Sequence, residues 1–494
     1  MAAKVKTSSS QSLREGNYTV SKVTELNFFD LTGEKAGTRG SSSKQYRIEL
    51  WVSKSSPQQS ELFSEYGATG NTNLSKDYRF FDTDLAAAEK EYDKIVASKK
   101  KKGYVEIDVA QRAFGSEEAK KITKAVTLKN AETLTANIRK SSLHLETQRL
   151  ISSLMGATNQ FVIQTLKCPL GQLTNAQIDL GRDILALAKN IINVPNPSSD
   201  QILSVTNQFY ATIPHNLGSG YRGQMTELLI DNPNKIATLE DELDTLEDAK
   251  SIGATVSTGS NIDDQYNSLD TDFTYLEHSS DLFKWINRML QETRASNHYG
   301  YGKFRLLNVW AVNRHNERQT FLKNVEVLSK LSSNISLPKA IKDLVPLRPD
   351  FDSSCQNYIK SNTWPLFHGT RSQNVTGILK KGYLIRPAGV VLCGSMYGEG
   401  TYFASQASKS IGYCSLSNSI WSRGNEKIGY LFLNDVIMGN PLMVSHSGNY
   451  NEQNVSPKNS VWAVGGKSGV INDEMIVYNT KQANQRYLLE FDCV

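Results

Sequence analysis

The chain has 494 residues, of which 39% are hydrophobic and 21% charged, a globular composition too long for one core, so two to four domains are expected. No run of about 18 apolar residues occurs and residues 1–40 lack the apolar segment of a secretory signal, so neither a membrane span nor export is expected. The net charge of +5 is unevenly placed: residues 1–130 hold 22 Lys and Arg against 17 Asp and Glu, while the rest balances at 33 of each.

In chain order, residues 1–20 read as a disordered tail. From Asn17 to about Asp108 polar and apolar residues alternate, as in Gln45-Tyr46-Arg47-Ile48-Glu49-Leu50-Trp51-Val52, the period of short strands. One helix interrupts them, from Asp84 to Ser98, with Leu85, Ala88, Tyr92 and Ile95 on one face. The run Lys99-Lys100-Lys101-Lys102 follows and is either a solvated turn or a contact for nucleic-acid phosphate. From Leu143 to Asp263 the period is helical. Thr174-Asn175-Ala176-Gln177 has the form of a capping box, opening a helix with Ile178, Ile184, Leu185, Ala188 and Ile192 on one side. Leu217-Gly218 ends another helical segment, Leu239 to Ala249 is an acidic helix, and several helices with short loops imply a bundle. After the Ser/Gly/Asn-rich stretch Ser251 to Asn261, strands are predicted at Phe304–Val312, Tyr430–Val436, Met475–Tyr478 and Tyr487–Phe491. The expected fold is multidomain α+β: a β-rich domain at 21–130, a helical domain at 140–262, and an α+β domain with a mainly antiparallel sheet at 263–494. The five cysteines, Cys168, Cys355, Cys393, Cys414 and Cys493, form no C-x-x-C pair, which argues against a disulfide framework or zinc finger and fits a reducing compartment.

Four segments of the last third carry the chemistry: Leu366-Phe367-His368-Gly369-Thr370-Arg371, Gly394 through Gly398-Glu399-Gly400-Thr401-Tyr402-Phe403-Ala404, Ser408-Lys409-Ser410-Ile411-Gly412-Tyr413, and Asn472-Asp473-Glu474-Met475-Ile476-Val477-Tyr478. Singly, each fits a structural role: a histidine at a strand end, glycines at a turn, core tyrosines, an acid at a strand edge. Together, in order and spacing, they resemble the signature of the poly(ADP-ribose) polymerases.

That resemblance implies NAD+ as the substrate, no metal, and a His-Tyr-Glu triad at His368, Tyr402 and Glu474. It implies a nicotinamide sandwich between Tyr402 and Tyr413, amide contacts from Gly369 and Ser410, and further NAD+ contacts at Thr370, Phe403 and Ala404. His368 is expected to hold the adenosine-side ribose, and Lys409 to keep Glu474 ionised. The chemistry suits these types: aromatic faces attract a pyridinium, and a carboxylate favours positive charge at the anomeric carbon as nicotinamide leaves.

The resemblance extends upstream. Cys168-Pro169-Leu170-Gly171-Gln172-Leu173-Thr174 and Phe209-Tyr210-Ala211-Thr212-Ile213-Pro214-His215 look like the helical regulatory domain that, in DNA-dependent members, shields the NAD+ site until a DNA break binds. The N-terminal strands look like a WGR domain, although the motif position reads Tyr66-Gly67-Ala68 without its Trp or Arg. DNA contacts are therefore expected to be spread over Lys44, Arg47, Tyr66, Lys76, Arg79, Lys99, Lys100, Lys101 and Lys102. The stretch from Phe321 to Trp364 is longer than in relatives and includes a helical segment, and the loop Gly465 to Val470 before Glu474 is short. The implied protein is an intracellular ADP-ribosyltransferase, nuclear in a eukaryote and in the cytoplasm or nucleoid of a bacterium. Its implied partners are broken duplex DNA and acceptor proteins including itself, its expected state a monomer. The competing readings are a mono-ADP-ribosyltransferase and a DNA-break-binding scaffold with little catalysis.

Overall fold

A computed structural model describes residues 18–32, 42–54, 57–69, 74–107, 141–166, 173–215, 225–255, 261–295, 303–350, 356–385, 396–417, 419, 422 and 424–493. The expected tail, Leu217-Gly218, Gly394 and Cys168 lie outside them. The chain divides into two compact units, Met1–Lys129 with Gln160–Gly253, and Asn130–Asn159 with Ala254–Val494.

In the first unit, β1 (Tyr18–Asp30), β2 (Ser42–Ser53), β3 (Ser60–Ala68), β4 (Ser75–Asp82) and β5 (Val105–Ile107) form an antiparallel sheet in the order β4-β3-β2-β1-β5. Its alternating residues Leu26, Ile48, Leu50 and Leu62 bury one face against Ala88 and Tyr92 of helix α1 (Leu85–Lys101). Asp84 caps that helix, accepting from the Ala87 N–H at 2.9 Å. The helix runs past the expected end at Ser98, so Lys99, Lys100 and Lys101 form its last turn rather than a separate loop. Cations are favoured there by the unpaired carbonyls of a helix C-terminus.

Helices α3 (Asn175–Ile192), α4 (Ser199–Thr212) and α5 (Pro233–Thr255) build the bundle, joined by the end of α2 (Leu145–Thr165) from Gln160 onward. Thr174 caps α3 as its sequence predicts, but the Gln177 side chain donates 2.9 Å to the Thr212 carbonyl and ties α3 to α4. The acidic face of α5 is answered by Arg182 of α3, which reaches Asp244 at 2.5 Å and Glu247 at 2.8 Å. Phe29 and Leu31 from the end of β1 belong to the bundle's core, beside Phe209, Ile184 and Leu239. Asn27 donates to the Ala211 carbonyl at 2.9 Å, so β-rich and helical parts share one interior.

In the second unit, β6 (Thr271–Tyr275), β7 (Phe304–Arg314), β8 (Thr363–Gly369), β9 (Thr401–Phe403), β10 (Ile428–Ile437), β11 (Pro441–Val444), β12 (Ser460–Ala463), β13 (Glu474–Val477) and β14 (Ala483–Cys493) make two sheets, β6-β7-β14-β10-β8 and β11-β12-β13-β9. All pairs are antiparallel except β11 with β12. Reciprocal 2.9 Å bonds between the main chains of Phe367 and Ala404 join β8 to the end of β9. Helix α6 (Asp281–Glu292) packs Trp285, Ile286, Met289 and Leu290 into the core with Phe367, Leu431, Leu489 and Phe491. The first part of α2 belongs here: Thr158 contacts the Thr376 hydroxyl at 3.0 Å, and Tyr430 donates to Ser153 at 3.0 Å. The long 321–364 stretch contains most of α7 (Glu317–Ser329) and returns to the core through Leu344, whose carbonyl accepts from the Trp285 indole at 2.8 Å.

Candidate active site

Every triad residue sits on or beside a strand end. His368 is the penultimate residue of β8. Its Nδ1 lies 2.9 Å from the Tyr402 carbonyl. A carbonyl only accepts, so Nδ1 carries the proton. Burial holds the ring below the ordinary histidine pKa, against the opposing pull of that bond, which keeps the imidazole neutral. Nε2 is then left as an acceptor, the role a ribose hydroxyl requires. Phe403 and Tyr383 pack against the ring with centroids at 5.7 and 4.7 Å and against each other at 5.5 Å. Phe403 therefore supports His368 from the core, and Ala404 contributes its main chain to β8.

Gly369 faces the Ser410 carbonyl so closely that a Cβ would lie 1.7 Å from its oxygen, a cradle only glycine permits. Helix α8 (Ser372–Lys381) follows the buried Thr370. Ser410, in the short helix α9 (Ala407–Ile411), donates to the Phe367 carbonyl at 3.1 Å, leaving its lone pairs to accept. Tyr413 lies just beyond, with 43% of its surface exposed.

Tyr402 is fixed at both ends of its hydroxyl: it donates 2.8 Å to the Gly398 carbonyl and accepts 3.0 Å from the Tyr397 N–H. Gly398 has φ +82°, and a Cβ there would meet the Tyr450 carbonyl at 1.8 Å, so the glycine of the signature shapes the phenol's seat. Strand β9 pairs with β13, setting Tyr402 opposite Ile476, two residues from Glu474.

Glu474 opens β13 with its side chain largely buried, 2.6 Å from the Lys409 ammonium. Lys409 also donates 2.9 Å to the Asn472 carbonyl, which aims the amine at the acid. Burial lowers its pKa, and the Glu474 charge opposes that shift. Tyr397, absent from the sequence prediction, borders the same acid: burial first, then the Glu474 charge, pushes its phenol up to about 12. It donates 2.5 Å to the Ser468 carbonyl and so holds the short loop before Glu474, which the Gly465 N–H closes on Asp473 at 2.8 Å. Its only sequence signal is its place within the Gly-rich motif. Among the described residues no cluster of three or more His, Cys, Asp or Glu could hold a metal, and no helix is long and apolar enough to cross a membrane.

The candidate DNA residues divide. Arg47 is paired with Glu25 and Glu49, both at 2.5 Å; Lys76 with Glu65 at 3.7 Å; Arg79 with Asp77 at 3.1 Å and Glu91 at 3.0 Å; Lys100 with Glu106 at 2.5 Å. The Lys99 ammonium sits 3.8 Å over the Tyr46 ring, within a box completed by Tyr104 and Tyr66. Burial lowers its pKa, and the charges of Lys102 and Lys44 add to the shift. Tyr66 stacks on Tyr46 and is 40% exposed. Lys44, Lys101 and Lys102 have no carboxylate partner among the described residues.

A β-rich domain, a helical bundle and a pair of joined, mainly antiparallel sheets bearing His368, Tyr402 and Glu474 define a multidomain α+β protein. Three family models match in the same order: the WGR domain at residues 29–111, the poly(ADP-ribose) polymerase regulatory domain at 141–273, and the poly(ADP-ribose) polymerase catalytic domain at 280–470. The chain belongs to the poly(ADP-ribose) polymerase family. The catalytic match ends before Glu474, whose place rests on its strand and ion pair. The chain is 27% identical over 374 residues to poly [ADP-ribose] polymerase 1 of Gallus gallus, covering 69% of this chain and 32% of that protein. It is 26% identical over 356 residues to polymerase 2-B of Oryza sativa subsp. japonica, with 65% and 52% covered. It is 26% identical over 428 residues to polymerase 2 of Homo sapiens, with 78% and 64% covered. The matched part spans under two thirds of each relative's own length.

Proposed function

We propose that the chain is an NAD+-dependent protein ADP-ribosyltransferase that forms poly(ADP-ribose), is activated by broken duplex DNA, and modifies itself and other proteins in the nucleus or nucleoid. The observation that carries this reading is the Glu474 carboxylate, held by Lys409 at 2.6 Å on the strand paired with Tyr402. NAD+ fits the neutral His368 with its accepting Nε2, and the close approach of Gly369 to the Ser410 main chain sets the amide-binding main chain beside it.

In this reading His368 and Gly369 orient NAD+ by its adenosine-side ribose and its amide, and Tyr402 and Tyr413 take the pyridinium. The bond from the ribose anomeric carbon to the nicotinamide nitrogen breaks, and its electron pair leaves with neutral nicotinamide. Glu474 stabilises the positive charge left on the ribose, then accepts the proton of the acceptor group as that group bonds to the same carbon. Incubating the purified chain with labelled NAD+, with and without nicked duplex, tests this on a denaturing gel. A DNA-dependent smear is expected, and absence of any labelled protein would overturn it. The short closed loop at 465–473 favours a second reading, mono-ADP-ribosylation, because it offers a growing polymer little wall; a single sharp band would select it.

Tyr402→Ala and Tyr413→Ala should each weaken nicotinamide-mimicking inhibitors by about fivefold or more, the worth of one aromatic contact. Tyr402→Phe should bind nearly as wild type, since it keeps the ring and loses only the bonds to Gly398 and Tyr397. Inhibitor affinity unmoved by both alanine changes would return the tyrosines to the core.

For DNA, the unpaired lysines are the better contacts, because a paired arginine must first surrender its carboxylate. Replacing Lys44, Lys101 and Lys102 with Gln should weaken binding to nicked duplex and lower its log–log salt slope by roughly 0.9 per lost phosphate contact. Parallel salt titrations of variant and wild type would remove these lysines from the interface.

A further inference from the structure

Behind His368 lies a polar pair that packing alone does not require. Tyr383 is buried just after α8, its ring edge-on to the imidazole at 4.7 Å and to Phe403 at 5.5 Å. Its hydroxyl donates 2.7 Å to the side-chain oxygen of Asn434. Asn434 is itself fully buried in the middle of β10, and its amide donates 3.3 Å to the Leu366 carbonyl, two residues before His368 on β8. The result is a closed circuit: His368, Tyr383, Asn434, and back to the strand that carries His368. Burying an asparagine and a phenol costs free energy that a leucine and a phenylalanine would not. What the polar pair adds is a fixed ring orientation, since the hydrogen bond leaves the phenol one position against the imidazole.

We propose that Tyr383 is a positioning residue for NAD+ binding, holding the His368 ring, through its Asn434 anchor, in the plane that presents Nε2 to a ribose hydroxyl. The proposal rests on the reading of His368 as a ribose ligand. The Nδ1–H bond to the Tyr402 carbonyl fixes one ring atom and leaves rotation about that bond free; Tyr383 and Phe403, packed against each other and against the imidazole, restrict it. Tyr383 touches no reacting atom in this scheme, so its loss should raise the KM for NAD+ and spare kcat.

Three variants separate positioning from simple stability. Tyr383→Phe should raise the KM for NAD+ about fivefold, the usual worth of one buried neutral hydrogen bond, with kcat within twofold. Tyr383→Phe combined with Asn434→Leu removes both partners, so its melting temperature should return toward wild type while the KM stays raised. Histidine-selective ¹⁵N spectra, with His368 assigned by its loss in His368→Gln, read the ring directly. In wild type one nitrogen should be protonated and one bare; in both variants the tautomer should persist, held by the Tyr402 carbonyl, while the bare-nitrogen signal shifts and broadens as the ring samples more than one orientation. A double variant that regains wild-type KM would make the pair purely structural and overturn the proposal, as would an unmoved His368 spectrum in Tyr383→Phe. The spectra need no turnover. If wild type transfers no ADP-ribose, the functional reading fails while the spectra still decide the positioning. If His368→Gln leaves NAD+ affinity by calorimetry unchanged, the ribose assignment fails on its own.

Discussion

Glu474→Gln is expected to lower ADP-ribose transfer by about 10²–10³-fold while nicotinamide-mimicking inhibitors bind within a few-fold of wild type. The substitution keeps the side chain's length and an oxygen that can still accept from Lys409, so the 2.6 Å contact and the start of β13 survive. What disappears is the negative charge. Positive charge grows on the ribose only as the bond to nicotinamide breaks, so the carboxylate's contribution is largest in the transition state and the loss falls on kcat. The acceptor's proton also loses its base. The pairing with Lys409 sharpens the test, because the amine's second bond, to the Asn472 carbonyl, holds it in place in the variant. Single-turnover measurements with labelled NAD+, alongside inhibitor binding, separate chemistry from affinity. Wild-type turnover would remove Glu474 from the reaction, and a parallel loss of inhibitor binding would mean that the whole site had moved.

The candidate triad residues lie in short contiguous motifs, and the glycines beside them have a local cause that sequence can carry, such as the approach of the Ser410 carbonyl to Gly369. The β-rich segment was visible in its period of two and the bundle in its helical period. What local patterns cannot carry is which face meets what across a long sequence gap. Phe29 and Leu31 end an ordinary alternating strand, yet they enter the helical core. Tyr383 and Asn434 meet across two elements and leave no period at all. For the lysine run, charge density leaves a solvated turn and a phosphate contact both open, and gives no sign that helix α1 continues through Lys101, where its carbonyls favour the cations. For the DNA candidates, sequence shows the cations but not the carboxylates opposite them: Arg47 and Arg79 face acids on neighbouring strands and helix.

The stretch preceding β8 contributes to a buried charge cluster, and Arg348→Ala is expected to destabilise the catalytic domain by about 3–5 kcal/mol. Arg348 is 4% exposed, reaches Asp435 of β10 at 2.5 Å and Asp350 at 2.6 Å, and lies over the Trp285 ring at 5.4 Å. Arg486 and the Tyr487 hydroxyl complete the cluster, each bonded to Asp350. The alanine variant leaves two carboxylates in the interior with Arg486 as the remaining cation, and that uncompensated charge, more than the lost contact, sets the cost. Burial by itself would raise the Asp350 carboxyl, but the bond and charge of Arg348, with Tyr487 and Arg486, hold it well below the usual carboxylate range. A depressed carboxylate contributes stability that is present above its unfolded value of about 4 and is lost as pH falls toward the folded value. Wild type should therefore lose stability below about pH 4, and the gap to Arg348→Ala should narrow there, because the variant's Asp350 is less depressed. Five of the six tryptophans come after residue 263 in the sequence and only Trp51 before it, so tryptophan fluorescence in urea reports mainly on the C-terminal part. Replacing Arg348 and Asp435 together with Met and Leu should recover much of the loss, since no charge is then stranded. If Arg348→Ala unfolds with wild type, or if the double replacement is as unstable as the single, the cluster contributes no coupled stabilisation and the long segment is held by its apolar contacts alone.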